Sequence, residues 1–182
     1  MIQFQIASVD SLIIYFGNEI SLETSLKVKK AYQSILSQNI DGLIEIIPSY
    51  SSIFISYDIF KYDFDSLTIK LKTSINFDLK THFKEKIVNI DVYYGLEVGL
   101  DLERISKKSN INIDDIISIH SEKYYDVFAI GFLPGFAYLG NVDGKIAVPR
   151  LETPRKLIPK GSLAIANTQT AIYPQDSPGG WN

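Results

Sequence analysis

The sequence predicts two domains of different kinds, an α+β layer over residues 1–84 and a compact β-barrel over residues 85–182. Three observations predict them. The first 90 residues carry one proline and two glycines and alternate between strand-like and helix-like patterns. Six of the seven prolines and seven of the 11 glycines fall after residue 130, among short β-branched runs. Turn-rich chain with short strands suits a barrel better than a wound parallel sheet.

Residues 2–7 and 12–16 read as short strands, the second closing at Gly17-Asn18. Residues 21–38 read as a helix, because Leu22, Leu26, Val28, Ala31, Ile35 and Leu36 recur at helical spacing. Ser21 is placed to cap it, with Glu23 in the first turn. Residues 43–47 and 53–57 are β-branched runs on either side of Pro48-Ser-Tyr-Ser51, a hairpin pattern. Residues 63–75 return to helical spacing through Phe64, Leu67, Ile69 and Leu71. This half reads as scaffold, with helices layered on a small sheet.

Beyond it, residues 87–94 read as a strand, 101–106 and 114–120 as helices, and 124–130, 162–166 and 169–173 as strands.

Composition excludes several classes of function. Eighteen basic residues against 21 acidic leave a net charge of −3, the wrong sign for a general nucleic-acid binder. With no cysteine there is no disulfide, thiolate nucleophile or zinc ribbon. His82 and His120 are the sole histidines, too few for an all-histidine metal site, so no metal is expected. The longest apolar run, residues 127–140, is broken by Gly131, Pro134 and Gly135 and is too short to span a bilayer. No targeting segment opens the chain, and a cytoplasmic location is expected. Gly140 to Ile146 resembles a phosphate loop, but its spacing is one residue short and Ile146 replaces the metal-holding hydroxyl.

Candidate chemistry gathers in the second half. Pro149-Arg150, Pro154-Arg155 and Pro159-Lys160 repeat every five residues, about 15 Å apart if the backbone is polyproline-like. Residues 143–162 carry a local charge of +3 in an acidic chain. Guanidinium groups on a stiff backbone suit a carboxylate or phosphate; a solvated loop with a rigid turn pattern is the other reading. Residues 131–140 set Phe132, Pro134 and two further aromatics among three glycines, which fits a pocket wall or a tight barrel corner. His120 closes an apolar helix and reads either as a proton carrier near neutral pH or as a packed cap. Glu97, in a glycine-flanked turn, reads as a turn charge or an active carboxylate. Gln169 and Tyr173 on one short strand offer neutral groups to orient a ligand.

The segments Gly131–Gly140, Pro149-Arg150, Pro154-Arg155, Pro159–Ser162, Gln169–Pro174 and Ser177–Trp181, with Tyr94–Glu97, Asp101-Leu102 and Ile119–Ser121, resemble those of one family. It is the PxpB family, the B subunits of 5-oxoprolinase, also called KipI or the first subunit of allophanate hydrolase. The resemblance implies an α+β domain followed by a cyclophilin-like β-barrel, and a non-autonomous component of an ATP-dependent machine. With its A and C subunits, that machine opens 5-oxo-L-proline to L-glutamate.

On this resemblance Arg150 and Arg155 take the substrate carboxylate, and Gln169, Tyr173, Phe132 and Pro134 orient the lactam. His120 and Glu97 then handle protons, and ATP serves the complex. Two alternatives accompany it: inhibition of a sensor histidine kinase, and a carboxyltransferase component of a biotin-dependent urea carboxylase. Leu96, Asn167 and Ala171 stand where the family usually has glycine, and Leu100 where it has proline. Family chains continue past the Gly-Gly-Trp segment, so an incomplete barrel with an open strand edge, and homo-oligomers formed through it, are expected.

Overall fold

The computed structural model describes residues 2–78 and 86–182, in two compact units, Met1–Lys86 and Ile87–Asn182. The boundary expected at residues 84 and 85, and His82, lie outside the described residues.

The first unit runs β1 (Gln3–Ser8), β2 (Ser11–Tyr15), α1 (Leu22–Ser37), β3 (Leu43–Pro48), β4 (Ser52–Tyr57) and α2 (Phe64–Ser74). Its strands form one antiparallel sheet in the order β1-β2-β4-β3. The hairpin through Pro48–Ser51 is present and is closed by Ser49 N–H donating to the Ser52 carbonyl at 2.8 Å. Alternation along β2 and β4 sends Leu12, Ile14, Ile53, Ile55 and Tyr57 to one face. There they meet Val28, Ala31 and Ile35 of α1 and Leu67 and Leu71 of α2.

Both helices start where local chemistry dictates. The Ser21 hydroxyl accepts from Thr24 N–H at 3.1 Å, and Asp63 and Ser66 form a reciprocal capping box. The apolar stripe expected on α1 is corrected: Leu22, Leu26 and Leu36 are exposed. The buried face is Thr24, Ser25, Val28, Ala31, Ser34 and Ile35, because small side chains let the helix lie close to the sheet. Ser34 also binds α1 to the end of α2. Its hydroxyl donates to the Ser74 carbonyl (2.6 Å) and accepts from Asn76 N–H (3.0 Å).

The second unit runs α3 (Leu102–Ser109), α4 (Ile113–Ser121), β5 (Asp126–Ile130), β6 (Ala137–Gly140), β7 (Arg155–Ile158), β8 (Leu163–Ala166), β9 (Gln169–Ile172) and β10 (Ser177–Gly179). One antiparallel sheet has the order β5-β6-β9-β8, and β7 pairs with β10 in a second. Asn182 exchanges two backbone hydrogen bonds with Ile165 (2.8 and 2.9 Å), and Val148 bridges Asn167, so the sheet extends past β8.

Among the described residues these sheets do not close into a barrel. The strand expected at residues 87–94 is also corrected. That segment pairs with no strand among the described residues, and its apolar side chains up to Tyr93 are exposed. Its β-branched composition supplies propensity, but a strand also needs a neighbour to satisfy its backbone.

The strand alternation on β8 and β9 divides the unit. Ala164, Ala166 and Ala171 face an aromatic core with Phe136, Tyr173 and Trp181. Ile165 faces the other way, against Ile105 of α3, Ile116 of α4, Val142, Ile146 and Val148.

Candidate functional site

Phe136 is the centre of the aromatic face. Phe132, Tyr138, Tyr173 and Trp181 set their rings edge-on to it at centroid distances of 5.4, 4.9, 5.2 and 5.8 Å. The β5–β6 loop carries Phe132 and Pro134 around a turn held by Gly131 N–H to the Phe136 carbonyl (3.1 Å) and Phe136 N–H to the Leu133 carbonyl (3.0 Å).

Gly135 takes a φ of 84°, and Phe132 takes 69°, a conformation that costs a bulky side chain roughly 1–3 kcal/mol. In this conformation the Phe132 ring is 62% exposed and meets the buried Phe136 edge-on. The Arg150 guanidinium lies over the Trp181 ring at 5.8 Å and is exposed.

Gln169, Ala171 and Tyr173 share this face by strand parity. Tyr173 is buried, and burial pushes its phenol above the usual range while Arg150 opposes that shift, so its hydroxyl stays protonated. Gly179 is required beneath it, because a Cβ there would meet the Tyr173 hydroxyl and the Ile158 side chain. The Gln169 amide nitrogen is buried and has no hydrogen-bond partner among the described residues.

His120 lies on the opposite face of the sheet, 5% exposed. Its Nδ1 is 2.7 Å from the Tyr94 hydroxyl and its Nε2 is 3.0 Å from Thr170 Oγ1. Thr170 Oγ1 donates its proton to the Ala164 carbonyl (3.1 Å), so His120 Nε2–H must donate to Thr170 and Nδ1 must accept from Tyr94. Burial alone pulls the imidazole down to about 4, and the Tyr125 ring covers it at 5.2 Å. At neutral pH His120 is therefore an uncharged group with both nitrogens engaged. It ties α4 to β9 and to the segment before Gly95.

Glu97 is exposed and accepts a 2.5 Å hydrogen bond from the Tyr93 hydroxyl, which holds its carboxyl below the usual range. Gly95 makes this possible, since a Cβ there would lie 2.5 Å from the Glu97 carboxylate.

Arg155 is committed within the fold. Its guanidinium grips Asp101 through Nη1–Oδ2 at 2.7 Å and Nη2–Oδ1 at 2.9 Å. Asp101, at the N-cap of α3, makes no side-chain capping bond. The fork expected to take a ligand carboxylate thus takes an internal one.

The structure brings together Phe132, Arg150 and Tyr173 through Phe136 and Trp181, and keeps His120 behind the sheet. Sequence reasoning missed Tyr94, Asp101 and Thr170 as the partners of the singled-out residues. Thr170 had one signal, its place beside Gln169 on a strand whose parity points it the other way.

The Gly140–Ile146 stretch lacks the hydroxyl residue of a phosphate loop, since Ile146 stands in its place and is buried. Val142 N–H donates to the Thr168 carbonyl, Lys145 N–H to Asp143 Oδ1 and Ile146 N–H to the Asp143 carbonyl, so these three backbone donors are taken up within the fold. No group of three or more histidine or acidic residues is placed to hold a metal ion among the described residues. No described helix is long and apolar enough to cross a membrane.

Residues 2–182 match the carboxyltransferase domain family, subdomains C and D, and the chain belongs to that family. It is 34% identical over 194 residues to the 5-oxoprolinase B subunit of Bacillus subtilis, which covers 99% of this chain and 80% of that protein. The crystal structure of TTHA0988 superimposes with a TM-score of 0.83 at 29% identity, over 96% of this chain and 34% of that one. The chain therefore spans about a third of that structural relative. Kluyveromyces lactis urea carboxylase, 15% identical, shares the fold with a TM-score of 0.75, over 99% of this chain and 18% of that one. Helices with antiparallel sheets in a carboxyltransferase-type arrangement are thus the class this chain represents.

Proposed function

We propose that the chain is the B subunit of a 5-oxoprolinase complex that converts 5-oxo-L-proline to L-glutamate with the A and C subunits. The name of the Bacillus subtilis relative supports the reading. The observation that carries it is the exposed Arg150 guanidinium held over Trp181, in the ring cluster about Phe136 from which Phe132 projects outward. A planar lactam bearing one carboxylate suits a fixed cation next to an aromatic wall.

In this proposal Arg150 receives the carboxylate, and Phe132 and Pro134 cover the ring. Gln169 orients the lactam through its unpartnered amide nitrogen. Tyr173 supports Phe136 from beneath. Arg155 acts by holding Asp101 and so fixing the chain that leads back to Arg150. Proton handling by His120 or Glu97 enters only through the phenols that hold them, Tyr94 and Tyr93. ATP serves the complex as a whole in this proposal.

The test is 5-oxoproline-dependent ATP hydrolysis by the cognate A and C subunits with this chain or its Arg150→Ala variant. Turnover that needs the chain and falls at least tenfold with the variant supports the proposal. Equal turnover with both forms rejects Arg150 as the carboxylate site. No dependence on the chain rejects the assignment to the complex.

A further inference from the structure

The first unit carries a cleft of about 260 Å³ between the β1–β2 turn, the turn after β4 and the start of α2. Tyr57, Tyr62 and Phe64 line it on one part and Ile6, Val9 and Ile59 on another. Asp63 is the charged residue among the described ones that line it. The cleft lies at the Asp63 end of α2, the opposite end of that helix from Asp78.

Tyr57 belongs to the core and is 3% exposed, yet its hydroxyl makes no hydrogen bond among the described residues. A buried hydroxyl left unpaired is costly, and at a cleft wall it calls for a partner from outside. Burial raises the phenol, and the carboxylates of Asp10 and Asp63 raise it further, so the hydroxyl stays protonated. Asp10 is fixed beside it, because Tyr57 N–H donates to the Asp10 carbonyl at 2.8 Å.

Both carboxylates are held in place by hydroxyls rather than by cations. The Ser66 hydroxyl and N–H donate to Asp63 Oδ1 (2.5 and 2.8 Å) and keep that carboxyl below the usual range. The Ser8 hydroxyl donates to Asp10 Oδ1. Lys61, which precedes Tyr62 in the chain, is tied to Asp41 instead (2.7 Å). Asp63 and Asp65 also offset the partial positive charge at the start of α2.

Aromatic walls, a carboxylate and an unpaired phenol together select a cation. An anion meets two carboxylates, and a neutral apolar molecule leaves the Tyr57 hydroxyl unpaired. Pockets that hold whole drug-sized ligands run to about 300–1,000 Å³, so this one suits a single head group and a short stem. We propose that the cleft binds the ammonium group of an aliphatic amine, its N–H donors on the Tyr57 hydroxyl and the Asp63 carboxylate and its alkyl stem on Ile6, Val9 and Ile59. The site is independent of the oxoprolinase reading, since it lies wholly in the first unit and uses no residue given a role there.

The test is titration of the full chain with n-butylammonium, followed by backbone amide NMR at neutral pH, where the amine is protonated. Salt at about 0.15 M screens pairing at exposed charges. Saturable shifts confined to residues 6–10 and 57–66, with a Kd of about 1 mM, are expected. Neutral n-butanol and anionic butyrate give none. Tyr57→Phe keeps the ring, and Asp63→Asn keeps a capping side chain while removing the charge. Each weakens binding about tenfold, and the ligand-free spectra report that each fold is kept. N-acetyl-lysine methylamide distinguishes the sources of the ammonium. Tighter binding than butylammonium supports a lysine side chain of a partner protein, and weaker binding supports a free amine. No saturable shift by about 20 mM, equal shifts with n-butanol, or unchanged affinity in either variant overturns the proposal.

Discussion

Acidification should weaken the second unit through one residue, His120. In the folded chain its imidazole is pulled down to about 4 by burial, whereas in the unfolded chain it returns to about 6.5. The groups set against the ring are the uncharged Tyr94, Tyr125 and Thr170, which do not offset this. Above pH 6.5 the histidine is neutral in both states and the fold has its full stability. As the pH falls toward 4 the unfolded chain binds a proton that the folded chain refuses. The linkage amounts to about 2 kcal/mol at pH 5 and about 3 kcal/mol at pH 4.

The assay is urea unfolding followed by the fluorescence of Trp181, the sole tryptophan, which is buried in the same unit. Between pH 7.5 and pH 5.0 most carboxylates stay ionised, so the histidine dominates the change. The wild type should lose about 2 kcal/mol over that interval and a His120→Gln variant well under 1 kcal/mol, whatever its absolute stability. Equal pH slopes in the two proteins would refute the buried, neutral histidine and the hydrogen-bond chain from Tyr94 to Thr170.

Three further outcomes follow from the packing. Asp101→Ala strands a largely buried Arg155 and should cost about 2 kcal/mol in the same urea assay, less than a fully buried pair because the guanidinium retains some solvent. A double-mutant cycle with Arg155→Met should recover part of that loss. Gly179→Ala drives a methyl group into the Tyr173 hydroxyl and Ile158, and should lower unit stability by about 2 kcal/mol or more, read by Trp181 emission. Ser34→Ala removes a buried hydroxyl that bonds both Ser74 and Asn76, and should cost about 1–3 kcal/mol in the first unit, read by circular dichroism.

Much of this protein was legible in its sequence, wherever the cause was local. Ser21, read from the sequence as a cap, does cap its helix through a hydrogen bond to Thr24 N–H three residues on. Residues 169–173 read as one strand carrying Gln169 and Tyr173, and the turn signals marked the β3–β4 hairpin. The carboxyltransferase family was legible too, through linked motifs in residues 94–181.

Tertiary structure alone decided the rest, because those outcomes depend on partners far along the chain. Asp101 lies 54 residues before the arginine it holds, and Thr170 lies 50 residues after the histidine it engages. Helical spacing could not show that Leu22, Leu26 and Leu36 face solvent, since small residues allow the closer approach of α1 to its sheet. The β propensity of residues 87–93 likewise could not supply a neighbouring strand. A side chain's type sets what it is able to bond. Only the fold sets which group arrives to accept the bond, and on which side of a sheet it stands.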